Sequence, residues 1–369
     1  VNVLVAVGMT GGHIMPGIAV ADELRLLDSR SKVVFAGTTR GRAADLVGRA
    51  GYRFVSVGVR GWAGAGLKGK LLFVFFMVYS ILPALAAVLK ERPEVVIGTG
   101  SYATLPFALS AAIAGIPIVL LEQNVVPGRA TRFLSTFAQE VHVAYRETLR
   151  YLSRRTTGTV SGNPTRALDT GATRERALAE FRLRPGCRTA LVFGGSRGAH
   201  SLNAAFASGA SILSRRDDIQ FIVQTGEDDL EAVAESCRST GLNAFVVSFI
   251  HEMDKAYACA DIVVCRAGAT TIAELTALGL ASILVPYPFS TGGHQEKNAR
   301  FLEERGASVV LKDSDLTGEL LASRITELLD DDDRRERMHK AAASLGRKDA
   351  ALLVAQSVLR RGKVNCSRR

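Results

Sequence analysis

His13 closes a glycine-rich turn, Gly8-Met9-Thr10-Gly11-Gly12-His13, that follows an apolar run beginning at Val1. Glycines at a strand-to-helix turn let the backbone approach a ligand closely. The helix that follows aims free N–H groups and the positive end of its dipole at the same spot, which suits an anion or polar acceptor group. A lone histidine in a turn more often only caps the helix or hydrogen-bonds the turn. At the carboxyl end of a strand, however, a neutral imidazole near pH 7 is a suitable general base. Glu122, in Leu121-Glu122-Gln123-Asn124, is the second candidate base and ends another apolar run. Gly98 to Tyr102, reading GTGSY, is a second glycine turn on the same expected rim, so three polar or glycine-rich strand ends converge there.

The second half carries a matching set. FGGSRGAHSLN, Phe193 to Asn203, follows an apolar run, and Ser196 with the backbone of Gly194, Gly195 and Gly198 makes a diphosphate cradle at a helix N-terminus. Arg197 and Arg166 can add positive charge. From Asp261 to Ala299 the sequence alternates an apolar strand, a glycine turn, a Thr-initiated helix, a second apolar strand ending in Pro-Tyr-Pro, and His294-Gln295 opening another helix. That is a βαβα unit built to grip something polar. Thr271 to Glu274 has capping-box spacing, so Glu274 either caps the helix or accepts hydrogen bonds from ribose hydroxyls. Asp313-Ser314-Asp315 looks like a metal-chelating pair but directly precedes an apolar-periodic helix, where N-capping is the expected role. No metal site is expected.

The elements that must position these groups alternate regularly. VNVLVAV, KVVFAG, RFVSVGV, EVVIGTG and IPIVLLEQN are separated by helical patterns, and after a stretch from Tyr151 to Pro164 that loses periodicity the pattern resumes with TALVFGG, IQFIVQTG, NAFVVSF, DIVVCRAG, ASILVPYP and ASVVL. β-branched runs between helices imply parallel sheets covered on both faces. The expected fold class is α/β, two doubly wound Rossmann-like domains facing each other across a cleft, with boundaries 1–162 and 163–345 and a linker near Ser161 to Pro164. Residues 346–369 would form a final helix, Ala350 to Leu359, packing back on either domain, and an irregular basic tail from Arg360.

With 369 residues, 47% hydrophobic and 22% charged, the chain is a folded globular protein of two domains. Its net charge of +10 points to an acidic partner: nucleic acid, a nucleotide, or an anionic membrane surface. Five cysteines, none spaced as CxxC, suit a reducing compartment, and the first strand beginning at Val1 leaves no signal peptide, so a cytosolic protein is expected. Leu71 to Leu89 contains no charge and is flanked by Lys68, Lys70, Lys90, Glu91 and Arg92. Crossing a bilayer there would put strands of one sheet on opposite sides. With Trp62, Phe73, Phe75, Phe76 and Met77 beside lysines, peripheral contact with anionic lipid is the better expectation. A nicotinamide oxidoreductase is disfavoured: GxGxxG spacing is absent, and the second strand ends Phe35-Ala36-Gly37-Thr38-Thr39-Arg40, without an acid for the ribose.

Taken together, GMTGGH, GTGSY, LEQN, SGNPTR, GGSRGA, SFIHEM, CRAGATTIAE and HQEKNA make the chain resemble the MurG family of peptidoglycan N-acetylglucosaminyltransferases, glycosyltransferase family 28, over about residues 3 to 345. The resemblance implies a GT-B fold with an N-terminal acceptor and membrane-side domain and a C-terminal UDP-GlcNAc domain. It implies inverting transfer of GlcNAc from UDP-GlcNAc to the muramyl 4-hydroxyl of lipid I, giving lipid II, at the cytoplasmic face of the membrane, without a chelated metal or other cofactor and without nucleic acid. It further implies that Thr10, Gly11, Gly12, Asn124, Arg166, Ser196, Ile250, Ala269, Thr270, Thr271, Ile272, Ala273, Glu274 and Gln295 contact the nucleotide sugar. His13 is then the expected base, with Glu122 second. The family's second glycine loop usually has adjacent glycines where this chain has Gly100-Ser101, and His294 stands where many relatives have another polar residue. The rival readings are a GT-B transferase for another lipid or aglycone and a non-catalytic nucleotide-sugar-binding protein.

Overall fold

The structure is a computed structural model that describes residues 1–39, 43–58, 67–166, 173–195 and 197–366, with side chains except those of residues 67–77 and 366. The chain divides into two compact units, Val1–Ala167 together with Arg347–Arg369, and Leu168–Gly346.

In the first unit the apolar runs become β1 (Asn2–Ala6), β2 (Lys32–Thr38), β3 (Arg53–Val57), β4 (Val95–Gly98) and β5 (Ile118–Glu122). Between them lie α1 (Gly11–Leu27), α2 (Ala43–Arg49), α3 (Leu67–Glu91) and α4 (Leu105–Ile113), followed by α5 (Arg129–Leu134). Two further strands, β6 (Glu140–Val143) and β7 (Thr157–Val160), extend the sheet into the stretch from Tyr151 that reads in sequence as linker. The reason lies in their composition. β6 buries Glu140 and His142, and β7 is a Thr-Gly-Thr-Val edge strand, so neither offers an apolar run. All pairings are parallel, in the order β3-β2-β1-β4-β5-β6-β7. The winding reverses between β1 and β4, which opens a crevice at their carboxyl ends.

Strand alternation builds a core on each face of this sheet. Val3, Val5 and Val7 pack with Ile14, Ile18 and Leu24 of α1, whereas Leu4 and Ala6 pack with Ala84 and Val88 of α3 and Phe107 of α4.

The second unit repeats the plan with α6 (Arg174–Glu180), β8 (Arg188–Phe193), α7 (His200–Leu213), β9 (Ile219–Gln224), α8 (Leu230–Thr240), β10 (Ala244–Val247) and α9 (Met253–Cys259). It continues with β11 (Ile262–Cys265), α10 (Ala269–Leu278), β12 (Ser282–Leu284), α11 (His294–Glu303), β13 (Ser308–Val310), α12 (Gly318–Asp330) and α13 (Asp332–Leu345). Its sheet is also parallel, ordered β10-β9-β8-β11-β12-β13, and reverses between β8 and β11. Phe206 of α7 meets Phe221 of β9 edge-on at 5.3 Å in a core that also holds Leu321 and Ile325 of α12. Each such fully buried side chain contributes roughly 1.5–3 kcal/mol.

Helix ends correct two expectations. Thr317, not the Asp313–Asp315 turn, caps α12 by accepting from Leu320 N at 3.1 Å. The final helix, α14 (Ala350–Cys366), runs past Leu359 through most of the tail expected to be irregular. It belongs to the first unit, where Val354, Ala355 and Val358 join the core beneath α1.

Candidate functional site

The winding reversal of the first unit is where its glycine turns fall, after β1 and after β4. The Thr99 carbonyl, just beyond β4, lies 2.9 Å from His13 Nδ1 and accepts from Gln123 Nε2 at 2.9 Å. A carbonyl can only accept, so in the neutral ring Nδ1 carries the proton and Nε2 keeps its lone pair. Thr99 is itself tied to β1, its N–H donating to Ala6 O at 3.0 Å. A Cβ on Gly8 would stand 2.9 Å from His13 Cδ2 and 2.7 Å from Ser101 Oγ, so glycine is required for the turn to close over the ring. Gly100, at φ +89°, brings its backbone against the other edge of the imidazole. His13 is thus held by the turn, and its Nε2 makes no hydrogen bond among the described residues.

Thr10 takes the N-cap position of α1 through its extended backbone and makes no side-chain capping bond. With Gly11 and Gly12 it stays exposed at the helix N-terminus. Glu122 is 4% exposed, and both carboxylate oxygens are engaged: Oε1 accepts from Asn124 N at 3.1 Å and Asn124 Nδ2 at 3.0 Å, Oε2 from Gly128 N at 3.1 Å. Its carboxylate closes the loop that carries Asn124, which Thr148 Oγ1 also holds at the Asn124 carbonyl, 3.2 Å. Arg166 lies in the first unit, half-buried, just before the chain enters the second.

In the second unit the same reversal gathers the Gly194–Ala199 loop after β8 and the start of α10 after β11. Gly198 N–H donates to Gly195 O at 2.9 Å in a tight turn. A Cβ on Gly198, at φ +76°, would fall 1.9 Å from Thr225 O, so two loop backbones touch there. Ser196, between these glycines, lies outside the described residues, as does Arg40 of the first unit.

Gln224, 3% exposed at the end of β9, bridges two candidate segments: its Nε2 donates to Gly195 O and its Oε1 accepts from Ile250 N, each at 2.9 Å. Beside this loop, burial opposes ionisation of Asp229, but hydrogen bonds from Asn203 and His200 prevail and hold its carboxyl below the usual range.

α10 begins at Ala269 with Gly268 as N-cap, two residues before Thr271, so the Thr271–Glu274 capping box does not form. Extended backbone at Gly268 starts the helix early and places Thr271 and Glu274 inside it. Glu274 instead accepts from Tyr257 Oη at 2.8 Å. Ala269, Thr270 and Thr271 make up the first turn, Ile272 is buried in the core, and Ala273 is half-buried. Thr270 Oγ1 is shielded and has no hydrogen-bond partner among the described residues. Gln295 Oε1 accepts from Tyr287 N at 2.8 Å, and its Nε2 donors make no hydrogen bond among the described residues.

Arg266, the residue after β11, falls in the CRAGATTIAE motif with no role of its own legible in sequence. Its Nη1 meets Asp313 Oδ1 at 2.5 Å and Val285 O at 3.2 Å, and its Nη2 donates to Ser201 Oγ at 2.8 Å. One guanidinium therefore ties the start of α7, the end of β12 and the turn before α12, and Asp313 serves as its counter-ion instead of a cap. Among the described residues no three His, Cys, Asp or Glu side chains are grouped to hold a metal. Cys265, fully buried at the end of β11, has its thiol pushed up by burial and is no nucleophile.

Comparison with known proteins bears on the family. A family model described as Glycosyltransferase family 28 N-terminal domain matches residues 3–143, and the family's C-terminal domain model matches residues 189–354. The chain is 38% identical over 364 residues to a protein of Thermodesulfovibrio yellowstonii, covering 98% of this chain and 99% of that one. It is 41% identical over 359 residues to one of Anaeromyxobacter sp. strain K, covering 96% and 91%. Both are named UDP-N-acetylglucosamine--N-acetylmuramyl-(pentapeptide) pyrophosphoryl-undecaprenol N-acetylglucosamine transferase. Among solved structures, MurG of Acinetobacter baumannii matches with a TM-score of 0.77 at 26% identity, over 97% of this chain and 99% of that one. The UDP-GlcNAc 2-epimerase of Neisseria meningitidis, at 14% identity, a TM-score of 0.68 and coverage of 98% and 100%, shares the fold alone. Two parallel Rossmann-like units, each with its glycine loops at the winding reversal, make up the GT-B fold. The chain belongs to glycosyltransferase family 28, with the MurG proteins.

Proposed function

We propose that the protein transfers GlcNAc from UDP-GlcNAc to the muramyl 4-hydroxyl of lipid I, giving lipid II, with inversion at the anomeric carbon. The observation that carries this reading is the 38% identity to a transferase of that name across 98% of the chain. The geometry supports a mechanism. As the acceptor oxygen bonds to C1 of GlcNAc and the C1–O bond to UDP breaks, His13 Nε2 takes the acceptor proton, with Nδ1–H held on the Thr99 carbonyl. Glu122, with both oxygens committed to its own loop, shapes that loop and leaves the proton to His13.

The second unit holds the donor. The N–H groups of the Gly194–Ala199 loop and Ser196 counter the charge that grows on the leaving diphosphate. Ile250 and the Ala269–Glu274 turn take the nucleoside, with Glu274 on the ribose and the Gln295 amide on GlcNAc. The shielded, unpartnered Thr270 hydroxyl supports a polar ligand at that turn, since a buried hydroxyl without a partner costs about 1–3 kcal/mol.

No helix among the described residues is long and apolar enough to cross a membrane. α3 exposes Val78, Tyr79, Leu82 and Leu89, and the protein carries a net charge of +10. These features support peripheral contact with an anionic bilayer at its cytoplasmic face, where a lipid-linked acceptor is presented. The side chains of Phe73, Phe75, Phe76 and Met77, and all of Trp62, lie outside the described residues.

The test is to incubate the protein with UDP-GlcNAc and a short-chain lipid I analogue in EDTA. A β-1,4-linked disaccharide product is expected. Tight UDP-GlcNAc binding without any transfer would leave a nucleotide-sugar-binding protein instead.

A further inference from the structure

Three non-glycine residues of the described chain have positive φ: Arg92, Ser101 and Arg182. Arg92 and Arg182 follow helix ends, where a left-handed residue is routine. Ser101 is different. Its φ of 73° comes with ψ of 164°, a region populated essentially by glycine, and strain of this kind persists where the surroundings over-determine it. The surroundings here are visible: the Ser101 carbonyl accepts from Thr104 Oγ1 at 2.8 Å, and Ser101 Oγ accepts from Ala103 N at 3.2 Å.

This conformation brings the hydroxyl to the same Gly8 turn as the imidazole. The point where a Cβ of Gly8 would lie is 2.7 Å from Ser101 Oγ and 2.9 Å from His13 Cδ2, so these atoms are at most 5.6 Å apart. Cδ2 is bonded to Nε2, the nitrogen that the Thr99 carbonyl leaves unprotonated. A hydroxyl has one proton and two lone pairs, and among the described residues one lone pair is committed, to Ala103 N. The donor hydroxyl and the ring edge that carries Nε2 therefore lie at the same mouth of the turn, on either side of Gly8.

We propose that Ser101 positions the acceptor: its O–H donates to one lone pair of the attacking sugar hydroxyl while that hydroxyl's proton points to His13 Nε2. The second lone pair then bonds to C1, the proton passes to His13, and UDP leaves with the electrons of the C1–O bond. This assignment rests on the transferase function proposed above. It also accounts for a strained serine in a loop that glycine would occupy without strain.

The experiment compares wild type with Ser101→Gly, which relieves the strain, and Ser101→Ala, which keeps it. Both variants are expected to lose tenfold or more in kcat/KM for the lipid I analogue while UDP-GlcNAc affinity stays within about twofold. The melting temperature of Ser101→Gly should rise by about 2–4 °C, and that of Ser101→Ala should not rise. A second measurement separates positioning from loop shape. An acceptor analogue with the attacking hydroxyl replaced by hydrogen should bind wild type and Ser101→Gly equally well. Turnover by Ser101→Gly at the wild-type rate, or an equal loss of affinity for both acceptors, would overturn the role of Ser101 and leave the transferase assignment standing. Absence of transfer by the wild type would overturn both.

Discussion

Ser357 of α14 donates a hydrogen bond to Glu140 of β6 across 217 residues of sequence. The same buried carboxylate accepts from Thr159 Oγ1 at 3.1 Å, and His142 Nε2 and Arg361 Nε stand 3.2 Å and 3.6 Å away. Burial alone would raise its pKa, but the interactions with His142, Ser357 and Thr159 prevail and hold it at about 2, against an ordinary 4.5.

A carboxyl depressed on folding stabilises the folded state above its unfolded pKa and loses that contribution as pH falls through its folded pKa. Unfolding free energy should therefore decline from pH 4.5 down to about 2, by an amount on the order of 3 kcal/mol. Glu140→Gln should remove most of this acid dependence and destabilise the protein at pH 7. Urea unfolding across that range measures both, and an unchanged slope in the variant would refute the assignment.

His13→Ala should lower kcat by roughly 10²–10⁴-fold with donor affinity nearly unchanged, because the base acts on the acceptor proton. Gln123→Leu leaves the imidazole in place but takes away the second donor on the Thr99 carbonyl. A smaller loss, about tenfold or less, is expected there. Steady-state kinetics alongside calorimetric titration of UDP-GlcNAc separate the two outcomes, and equal losses of kcat and donor affinity in His13→Ala would count against a base.

Gly198→Ala places a methyl group on Thr225 O at a φ that side chains rarely adopt. A loss of about 2–4 kcal/mol in stability, or a displaced loop, should follow. Either way UDP-GlcNAc should bind at least tenfold more weakly. Substitution at Gly11, where a Cβ meets nothing within 4 Å, gives a steric contrast, with little change in melting temperature expected.

Arg266 and Asp313 should behave as a coupled pair. Arg266→Ala strands a largely buried carboxylate and frees the ends of β12 and α7, at a cost of about 2–4 kcal/mol. Removing Asp313 as well should recover about 1–2 kcal/mol of that loss. A double-mutant cycle by urea unfolding reads the coupling directly, and additive effects would dissolve the pair.

Much of the fold was legible because β-branched runs and helical periods are local signals. β6 and β7 escaped because their stability comes from elsewhere: Glu140 is tolerated in a strand only through partners on β7 and α14, and His142 stands against Glu140. The glycine turns could be placed at a sheet rim from sequence, and those after β1, β4 and β8 lie at winding reversals. Thr99 and Gln123 fall inside GTGSY and LEQN, but the contacts they make, like those of Gln224 and Arg266, could not be found that way. Each acts by bonding to a distant segment, as Gln224 does to Gly195 and Ile250, and nothing in the neighbouring residues encodes that partner. The α10 start misled for the opposite reason. Thr271 and Glu274 have the spacing of a cap, but Gly268 reaches the extended conformation first.

The return of α14 to the first unit makes the second unit an insertion, and this bears on how the protein is made. A ribosome releases residues 1 to 167 first and the whole of 168 to 346 next, before the helix that covers Val5 and Ile18 has been synthesised. The second unit can therefore complete its fold during translation. The first unit is begun earliest and finished later, with one apolar face in need of shielding until the chain beyond Arg347 emerges.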